Sequence, residues 1–319
     1  MTEQSGSCVL VTGALGQIGT ELVAALRQRH GTDSVIATDL REINDHSVVT
    51  SGIFVVADVL DKNRLEELII SHSVDTVYHL AAILSATGEM NPELCERVNL
   101  GGLANVLELA KEYNLRLYTP SSIAVFGPDC PSLAPQVTPL NPTTMYGMTK
   151  VAGEVMANYY WENHAVDVRG IRYPGLISWK APPGGGTTDY AVEIFRHAVE
   201  SGNYTCFVKP DTKLPMMYMD DAIRATLELM ETPIESLGSA RAGYNIAGVS
   251  FTAEELSNAI AARIPNFVCG FEPDIRQKYA DSWPSMIDDT QAQNDWGWKP
   301  QFGLNQLVDE MLANLQDEN

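Results

Sequence analysis

The sequence predicts an α/β fold: a Rossmann-type doubly wound parallel sheet with a smaller C-terminal α/β lobe. Short apolar runs alternate with helical patterns through the first half of the chain, and a glycine-rich turn directly follows the first run. Such alternation is typical of parallel strands whose crossover helices cover both faces of the sheet. We therefore expect a first, ligand-binding domain over residues 1–175 and a substrate-binding lobe over 176–319, with some segments of the lobe returning to the first domain.

Composition narrows the classes of partner. The 319 residues carry a net charge of −20, which argues against nucleic acid or an anionic membrane surface as a partner. Five cysteines stand singly, as is typical of reduced thiols in the cytoplasm. With neither a signal segment nor an apolar run of membrane-spanning length, the sequence predicts a cytoplasmic protein. The histidines are dispersed as well, without zinc-ligand spacing, so we expect no metal.

The first apolar run, Cys8–Thr12, leads through Gly13, Gly16 and Gly19 into a helical pattern. Glycines let a phosphate approach the backbone, and the free N–H groups at a helix N-terminus face the anion. Strand, turn and helix together predict a site for the pyrophosphate of a dinucleotide.

The second apolar run, residues 35–38, ends at Asp39, 20 residues after Gly19. An acidic side chain at that distance accepts hydrogen bonds from the adenosine ribose hydroxyls of NAD and repels the 2′-phosphate of NADP. Arg41 lies nearby and could serve NADP instead. The carboxylate at the strand end favours NAD.

Three further strands are predicted at residues 53–57, 76–80 and 115–120. The carboxyl ends of parallel strands meet at one edge of the sheet, which is where ligands bind. The residues that follow these strands, and that we therefore expect at this edge, are Asp58, Ala81, Ser121 and Ser122. His79 lies on an apolar strand, and we interpret it as a hydrogen-bonded core histidine.

Two helices are predicted between these strands, one from about Lys62 and a longer one from Pro92 to Tyr113. A proline-rich connection then leads into a helix that begins with Tyr146 and Lys150. These two side chains are four residues apart and lie on one helix face. A lysine ammonium stabilises the phenolate of a nearby tyrosine, so Tyr146 could act as a general base at neutral pH. The alternative is a pair of surface side chains.

The second half of the chain begins after a strand at residues 168–172. The glycine- and proline-rich run from Lys180 to Thr188 predicts a mobile loop, and residues 182–188 are expected to close over the site and exclude water. Helices are predicted at 189–200, 220–231 and 303–315. A capping box at Thr252 and Glu255 predicts another helix start.

In order and spacing, these motifs resemble the extended short-chain dehydrogenase/reductase family across nearly the whole chain. The matching residues are Gly13, Gly16, Gly19, Asp39, Asp58, Leu80, Ala81, Ala82, Asn99, Ser121, Ser122, Tyr146 and Lys150. The resemblance implies NAD as the cofactor. It also implies a homodimer in which the Pro92–Tyr113 and Met145–Asn163 helices pack as a four-helix bundle.

Within that family several segments look like the NAD-dependent L-threonine 3-dehydrogenases. These segments are Leu84–Glu89, Tyr173–Ser178, Gly184–Ala191, Leu214–Tyr218, Asp281–Pro284 and Asp295–Trp298. The resemblance implies oxidation of L-threonine at its 3-hydroxyl to 2-amino-3-oxobutanoate, by hydride transfer to NAD. In this reaction Tyr146 would be the base, and Lys150 would lower its pKa and hold the nicotinamide ribose.

The resemblance also assigns the site residues. The catalytic residues would be Tyr146, Lys150, Ser121 and Ser122. The cofactor contacts would be Gly13, Gly16, Gln17, Ile18, Gly19, Asp39, Leu40, Asp58, Val59, Leu80, Ala81, Ala82, Asn99, Tyr146, Lys150, Tyr173 and Ile177. The threonine pocket would be formed by Ser85, Gly88, Ser121, Tyr146, Gly184, Thr187 and Trp283. With no arginine evident for the substrate carboxylate, we expect Ser85, Thr187 and the amides around Gly88 and Gly184 to bind it.

Two other functions compete with this one. UDP-sugar epimerases and dehydratases of the same fold usually have an asparagine where this chain has Pro174 or Gly175, and an arginine near the position of Leu214. Here that segment is apolar, so a diphosphate would lack its usual partner. A non-catalytic NAD-binding sensor would keep the glycine loop but would not need Tyr146 and Lys150 together.

Overall fold

The computed structural model describes residues 7–180 and 184–317. Residues 182 and 183, which begin the segment expected to close over the site, lie outside the described residues. Among the helices of the described ranges, none is long and apolar enough to cross a membrane.

Strands and helices alternate through the first half of the described chain. The strands are β1 (Val9–Thr12), β2 (Val35–Asp39), β3 (Phe54–Val56), β4 (Thr76–His79), β5 (Arg116–Tyr118), β6 (Ser121–Ser122), β7 (Leu133–Ala134), β8 (Val168–Arg169), β9 (Ile171–Tyr173), β10 (Gly175–Ile177), β11 (Asn203–Cys206), β12 (Lys213–Tyr218), β13 (Tyr244–Asn245), β14 (Val249–Thr252), β15 (Val268–Phe271) and β16 (Met286–Ile287). The helices are α1 (Gln17–His30), α2 (Ser47–Thr50), α3 (Lys62–His72), α4 (Ser85–Met90), α5 (Pro92–Glu96), α6 (Gly102–Tyr113), α7 (Met145–His164), α8 (Tyr190–Glu200), α9 (Met219–Glu231), α10 (Ala253–Ala261), α11 (Arg276–Ala280), α12 (Thr290–Trp296) and α13 (Leu304–Asp317).

The central sheet is parallel, with six strands in the order β3-β2-β1-β4-β5-β8. Strands β2 and β3 extend the sheet on one side of β1, and β4, β5 and β8 extend it on the other. The carboxyl ends of β1 and β4 therefore flank the crevice where Rossmann folds bind ligands. The predicted fold class is confirmed. The side chains of β1 are buried on both faces, because Val9 and Val11 belong to one core and Leu10 to the other.

Helices cover both faces of the sheet. Helices α1 and α9 pack on one face, and α3, α6 and α7 pack on the other. A separate core lies in the second half of the chain, among α8, α10, α13 and the strands between them. Helix α9 and strand β13 come from this half but pack with the first core, and β13 pairs with β9. A division near residue 175 stays a prediction.

The predicted strand at residues 168–172 is interrupted at Gly170 and forms β8 and β9. A Cβ on Gly170 would lie 2.5 Å from the carbonyl oxygens of both Thr119 and Ala242, so two backbones approach it closely. Strand β8 completes the central sheet, whereas β9 joins β6 and β13 in a small second sheet. The break therefore directs the chain from the sheet toward the second lobe.

The predicted Pro92–Tyr113 helix contains one π-helical turn, Arg97–Gly101, between α5 and α6. Asn99 lies in this turn and is buried. π-Helical turns in α-helices often mark functional sites, and this one faces the loop after β4.

Candidate active site

The glycine turn after β1 is closely packed against the end of β4. Gly13 has φ +69°, and a Cβ there would lie 2.6 Å from the backbone nitrogen of Ala81. A Cβ on Gly19 would lie 2.4 Å from the carbonyl oxygen of Gly13. Gly16 caps α1, so Gln17 and Ile18 form its first turn. The turn thus presents bare backbone and a helix N-terminus at the crevice, as an anionic pyrophosphate requires.

Asp39 connects the end of β2 to this turn. Its Oδ2 accepts a hydrogen bond from Leu15 N at 3.1 Å, and its Oδ1 accepts from Arg41 N and Nε at 3.1 and 3.2 Å. Leu40 beside it is 66% exposed. The carboxylate is therefore fixed at the edge of the crevice, with Arg41 bound to it.

Two other strand ends complete this edge. Asp58 follows β3, and its Oδ1 accepts a hydrogen bond from Leu60 N at 2.9 Å, with buried Val59 between them. Leu80, Ala81 and Ala82 follow β4 and are partly buried beside the glycine turn. The structure thus brings these predicted cofactor residues together.

The side chain of Asn99 is hydrogen-bonded within the protein, and its contact with the cofactor stays a prediction. Its Oδ1 accepts from Ile83 N at 2.7 Å, and its Nδ2 donates to Ile83 O at 3.1 Å and to Thr149 Oγ1 at 3.0 Å. Nδ2 also lies 3.4 Å from Cys95 Sγ. These hydrogen bonds join the loop after β4 to α7 through the side chain of Asn99.

Helix α7 begins at the site and carries the tyrosine and the lysine. Thr144 caps it, since Gly147 N donates to Thr144 Oγ1 at 3.1 Å. Met145 N donates to Glu89 Oε1 at 2.6 Å, which ties this helix start to α4. These bonds set the direction in which the first two turns of α7 project their side chains.

Tyr146 and Lys150 lie on one face of α7, as predicted, and both are partly buried. Lys150 Nζ lies 5.5 Å from the centroid of the Tyr146 ring and donates to Pro120 O at 2.7 Å. Burial lowers the pKa of Lys150 to about 8. The lysine is therefore next to the ring and bound to the backbone.

Burial raises the pKa of Tyr146 to about 12, and a hydrogen bond with Ser122 acts in the opposite direction. The lowering of this pKa by Lys150 stays a prediction, because Lys150 is not among the causes of the shift in this arrangement. The ammonium is near the ring and is bound to Pro120, and burial of the phenol dominates.

The two adjacent serines have different roles, because they project to opposite sides of β6. Ser122 hydrogen-bonds to Tyr146, and its Oγ also accepts from Ala124 N at 3.2 Å. Ser121 is buried, and its Oγ donates to Glu154 Oε1 at 2.5 Å. The hydroxyl of Ser121 is therefore bound to Glu154, and its assignment to catalysis and to the substrate pocket stays a prediction.

Two further predicted cofactor contacts have side chains elsewhere. The hydroxyl of Tyr173 is buried among Tyr118, at 2.7 Å, and Thr226. Ile177 is buried in the core of the second lobe. Both side chains are buried in the cores of the molecule, and their contact with the cofactor stays a prediction.

The predicted pocket residues approach Tyr146 from two segments. Ser85 begins α4, and Gly88 on this helix is packed so closely that a Cβ there would lie 2.9 Å from Cys95 Sγ and 3.9 Å from Tyr146 Cβ. A Cβ on Gly184 would lie 3.4 Å from Leu84 Cδ1, so the loop before α8 reaches α4.

Two more pocket residues complete this region. Thr187 is buried in the loop before α8. Trp283 packs against both the second-lobe core and the cluster that contains Ile123 and Val125, directly after Ser122. The predicted pocket therefore lies between α4, the 184–187 loop and the 3-10 turn Ile123–Val125 that follows β6.

The amides expected to bind the substrate carboxylate are used within the protein. Gly185 N and Gly186 N donate to Asp189 Oδ2 at 2.7 and 2.8 Å. Gly88 N donates to Leu84 O at 2.7 Å, as part of α4. These three amides therefore have partners within the protein, and the hydroxyls of Ser85 and Thr187 are further neutral donors for the carboxylate; its binding stays a prediction.

Two carboxylates at the site were missed from the sequence. Glu89 holds the start of α7, and Glu154 lies four residues after Lys150 on the same helix. Glu154 is buried and bound in a bidentate pair by Arg172, with Nε–Oε1 at 2.9 Å and Nη2–Oε2 at 2.7 Å. The signal was present as a Tyr-x-x-x-Lys-x-x-x-Glu spacing, which repeats the helix period.

His79 has the core role that was predicted. Its Nδ1 lies 2.9 Å from Thr12 Oγ1, and burial lowers its pKa to about 3. It is therefore a neutral side chain between β1 and β4.

Comparisons with known proteins agree with this geometry. The family model described as the NAD dependent epimerase/dehydratase family matches residues 9–247. Among curated proteins, the mitochondrial L-threonine 3-dehydrogenase of Bos taurus is 48% identical over 306 residues, which are 95% of this chain and 81% of that protein.

Solved structures are similar over nearly the whole chain. A monomeric L-threonine 3-dehydrogenase from a metagenome, in its apo form, has a TM-score of 0.94 and 54% identity, covering 98% of this chain and 99% of that one. A GalE-like L-threonine dehydrogenase from Cupriavidus necator, in its holo form, has a TM-score of 0.93 and 50% identity, covering 97% and 99%.

Proposed function

The chain belongs to the NAD-dependent epimerase/dehydratase family, and we propose that it oxidises L-threonine at its 3-hydroxyl to 2-amino-3-oxobutanoate, with NAD as hydride acceptor. The observation that carries this proposal is Tyr146, hydrogen-bonded to Ser122 and next to Lys150, at a pocket formed by α4 and the 184–187 loop. Relatives that are similar over nearly the full length are named as dehydrogenases of this amino acid.

The crevice fits NAD by its shape and its donors. The Gly13–Gly19 turn would hold the pyrophosphate, because any side chain at Gly13 or Gly19 would overlap backbone. Asp39, fixed by Leu15 N, would accept from the adenosine ribose hydroxyls. When bound, NAD supplies the carbon that accepts the hydride.

Proton transfer would be the task of this chain. The Tyr146 oxygen would take the hydroxyl proton of threonine, with Ser122 hydrogen-bonded to the same centre. Since burial favours the neutral phenol, the phenolate needs a stabilising positive charge close by. The ammonium of Lys150 is the group in place to provide it and to hold the nicotinamide ribose.

A small substrate fits the pocket better than a UDP-sugar. Leu214, at the position where the nucleotide-sugar enzymes tend to have an arginine, is buried in the core of the second lobe. The hydroxyls of Ser85 and Thr187 offer neutral donors to one carboxylate. Neighbouring side chains lie close to Gly88 and Gly184, so little room is left at these two positions: a Cβ would lie 2.9 Å from Cys95 Sγ and 3.4 Å from Leu84 Cδ1, respectively.

The test measures NADH formation in the near ultraviolet with L-threonine and NAD. We expect turnover by the wild-type protein and none by Tyr146→Phe, while calorimetry shows that both bind NAD. UDP-glucose and UDP-galactose should be neither bound nor epimerised. UDP-sugar binding without threonine oxidation would instead favour the epimerase activity, and NAD binding without any turnover would favour a sensor.

We also propose a homodimer through α6 and α7. Met148, Val155 and Tyr159 lie on α7 and are more than half exposed, at 52%, 63% and 54%. Their spacing of seven and four residues places them along one helix face, and such an apolar stripe suits a helix-packing interface. Light scattering at micromolar concentration should give twice the chain mass; a monomer, as the metagenome relative is described, would refute the dimer.

A cytoplasmic location is part of the proposal. Its support is the free state of the five cysteines, which suits a reducing compartment. The bovine relative is named mitochondrial, so fractionation of the source cells is the deciding measurement.

A further inference from the structure

A small cavity lies beside Lys150. The cavity has a volume of about 20 Å³, and its polar lining includes His79, Asn99, Ser121, Thr149, Lys150 and Glu154. This is room for about one ordered water, and the polar groups needed to bind one are present. Lys150 and Glu154 both line this cavity, and Glu154 is buried.

Glu154 is held rigidly on the far side of this cavity. Its Oε1 accepts from Ser121 Oγ and Arg172 Nε, and its Oε2 accepts from Arg172 Nη2. The residue is 8% exposed, and a Cβ on Gly243 would lie within 2.6–2.8 Å of the carboxyl group. The carboxylate accepts all three hydrogen bonds in this one side-chain conformation, which fixes the position of its charge.

Lys150 has capacity left for a further partner on the cavity side. An ammonium carries three donors, and the hydrogen bond that the described residues give it goes to Pro120 O. Lys150 and Glu154 are four residues apart on α7, which places them on one helix face. A carboxylate and an ammonium therefore line one small cavity from the same helix.

The other titratable groups near Lys150 do not provide this negative charge. Tyr146 is a neutral phenol until it loses its proton, and burial raises the pKa of the Cys95 thiol, which keeps the thiol neutral. His79 on β4 is neutral, since burial lowers its pKa. Glu89 on α4 accepts from Met145 N at the start of α7, one turn before Lys150. Arg172 on β9 is positive and is paired with Glu154.

We propose that Glu154 is a positioning residue for the dehydrogenase reaction: its buried carboxylate keeps Lys150 protonated across the cavity, and so sets the pH range in which Tyr146 can act as a base. This inference rests on the proposed function. Burial lowers the pKa of Lys150, and Cys95 and then Glu154 act against that effect. Burial also raises the pKa of the Cys95 thiol, whereas the Glu154 carboxylate is held in an ion pair with Arg172. Without the carboxylate, Lys150 should lose its proton, and with it the support for the phenolate, at a lower pH.

The direct test follows the protonation of Lys150. Protein with ¹³C-labelled lysine side chains is titrated by NMR, and the Lys150 signal is assigned by its loss in Lys150→Arg. In Glu154→Gln the Lys150 midpoint should fall by roughly one pH unit, at the low end of the effect of a nearby opposite charge, because Arg172 offsets part of it. An unchanged midpoint would overturn the proposal, whatever the activity.

Two controls separate charge from packing. Glu162→Gln removes a carboxylate from the exposed end of the same helix and should leave the Lys150 midpoint unchanged. Ser121→Ala removes one hydrogen bond from Glu154 but keeps the charge, so the midpoint should not fall. If Ser121→Ala lowers the midpoint as much as Glu154→Gln does, then network geometry rather than charge is responsible, and the proposal fails.

The second readout is the pH profile of kcat/KM for L-threonine. The alkaline limb should move to lower pH in Glu154→Gln, whereas a purely structural defect would lower the whole profile without moving it. A wild-type protein that does not oxidise threonine would refute the proposed function alone, since the NMR titration does not require turnover. An active wild type with an unmoved limb in the variant would refute this inference alone.

A double variant tests the proposal in case Glu154→Gln does not fold. Glu154→Gln leaves the Arg172 charge buried without its partner, which is destabilising. The double variant Glu154→Gln/Arg172→Gln removes both charges. Its Lys150 midpoint should still fall below the wild-type value, because Glu154 lines the cavity and Arg172 is not among the described residues that do. A midpoint at or above the wild-type value would contradict the proposal.

Discussion

At the scale of single residues, the site depends on which way adjacent side chains point. Ser121 and Ser122 are neighbours of the same type, but one belongs to a buried Glu154–Arg172 network and the other to Tyr146. Successive side chains of a strand point to opposite faces, so the two hydroxyls lie on opposite sides of β6. Function therefore follows the side of β6 on which each hydroxyl lies.

We predict that Ser122→Ala lowers kcat by roughly 10²-fold, the lower end of what a positioned acid–base group contributes. Ser121→Ala should instead cost about 1–3 kcal/mol of stability, because it leaves the buried Glu154 carboxylate with one donor fewer. Steady-state kinetics and urea unfolding of both variants make the comparison. The reverse pattern, with Ser121 controlling the rate, would show that the serines are assigned the wrong way round.

A second prediction at this scale concerns cofactor choice. Asp39 holds a carboxylate at the edge of the crevice, so NAD should be preferred to NADP, and Asp39→Ala should narrow the preference. Arg41→Ala is the matched control, because Arg41 is bound to Asp39 and lies mostly in solvent. It should leave NAD preferred. Equal kcat/KM for the two cofactors in the unmodified protein would contradict the role of Asp39.

At the scale of elements, the site depends on how closely the ends of strands and helices approach. The glycine turn after β1 lies against the loop after β4, and α4 lies against the start of α7. Asn99, in the π-helical turn, ties that loop to α7 through Ile83 and Thr149. The cofactor edge and the catalytic helix are therefore parts of one packed unit.

We predict that Gly13→Ala destabilises the protein by about 2–4 kcal/mol and abolishes NAD binding, because it combines a left-handed conformation with backbone overlap. Gly297→Ala is the matched control. It has a similar φ of +77°, but a Cβ there would meet nothing within 4 Å. It should cost only the conformational part and leave NAD binding intact. Urea unfolding and calorimetry with NAD measure both effects; equal losses in the two variants would argue against the close contact.

At the scale of the whole molecule, the first core carries buried groups whose protonation affects stability. His79 lies between β1 and β4, hydrogen-bonded to Thr12, and its folded-state pKa of about 3 is below the ordinary value of 6.5. The unfolded chain therefore binds a proton below pH about 6.5 that the folded chain does not bind. Stability should fall as the pH decreases through this range.

The predicted slope from this one group approaches about 1.4 kcal/mol per pH unit between pH about 6 and 4. His79→Gln keeps a hydrogen-bonding side chain next to Thr12 and should make the dependence shallower above the range where carboxylates titrate. Chemical unfolding at a series of pH values tests this. His30 is only partly buried and lies outside the core, so His30→Gln should leave the slope unchanged. An equal effect of both variants would refute the prediction.

The sequence by itself determined the fold class and most of the strand ends. Alternating apolar runs fixed the parallel sheet, and Gly13, Asp39, Tyr146 and Lys150 were found because their chemistry depends on short-range spacing along one strand, turn or helix. These patterns are local, so they can be recognised without knowing what packs against them. The capping box at Thr252 was found for the same reason, and it forms as predicted.

Only the tertiary structure decided which groups meet across the chain. It turned Tyr173 and Ile177 into the cores, used Asn99 and the loop amides within the protein, and placed Glu154 and Lys150 around one cavity. The burial that raises the pKa of Tyr146 was not found from the sequence for the same reason, since it comes from distant segments. Hydrogen-bond partners and desolvation depend on contacts between residues far apart in sequence. The spacing of residues along the chain gives no information about these contacts.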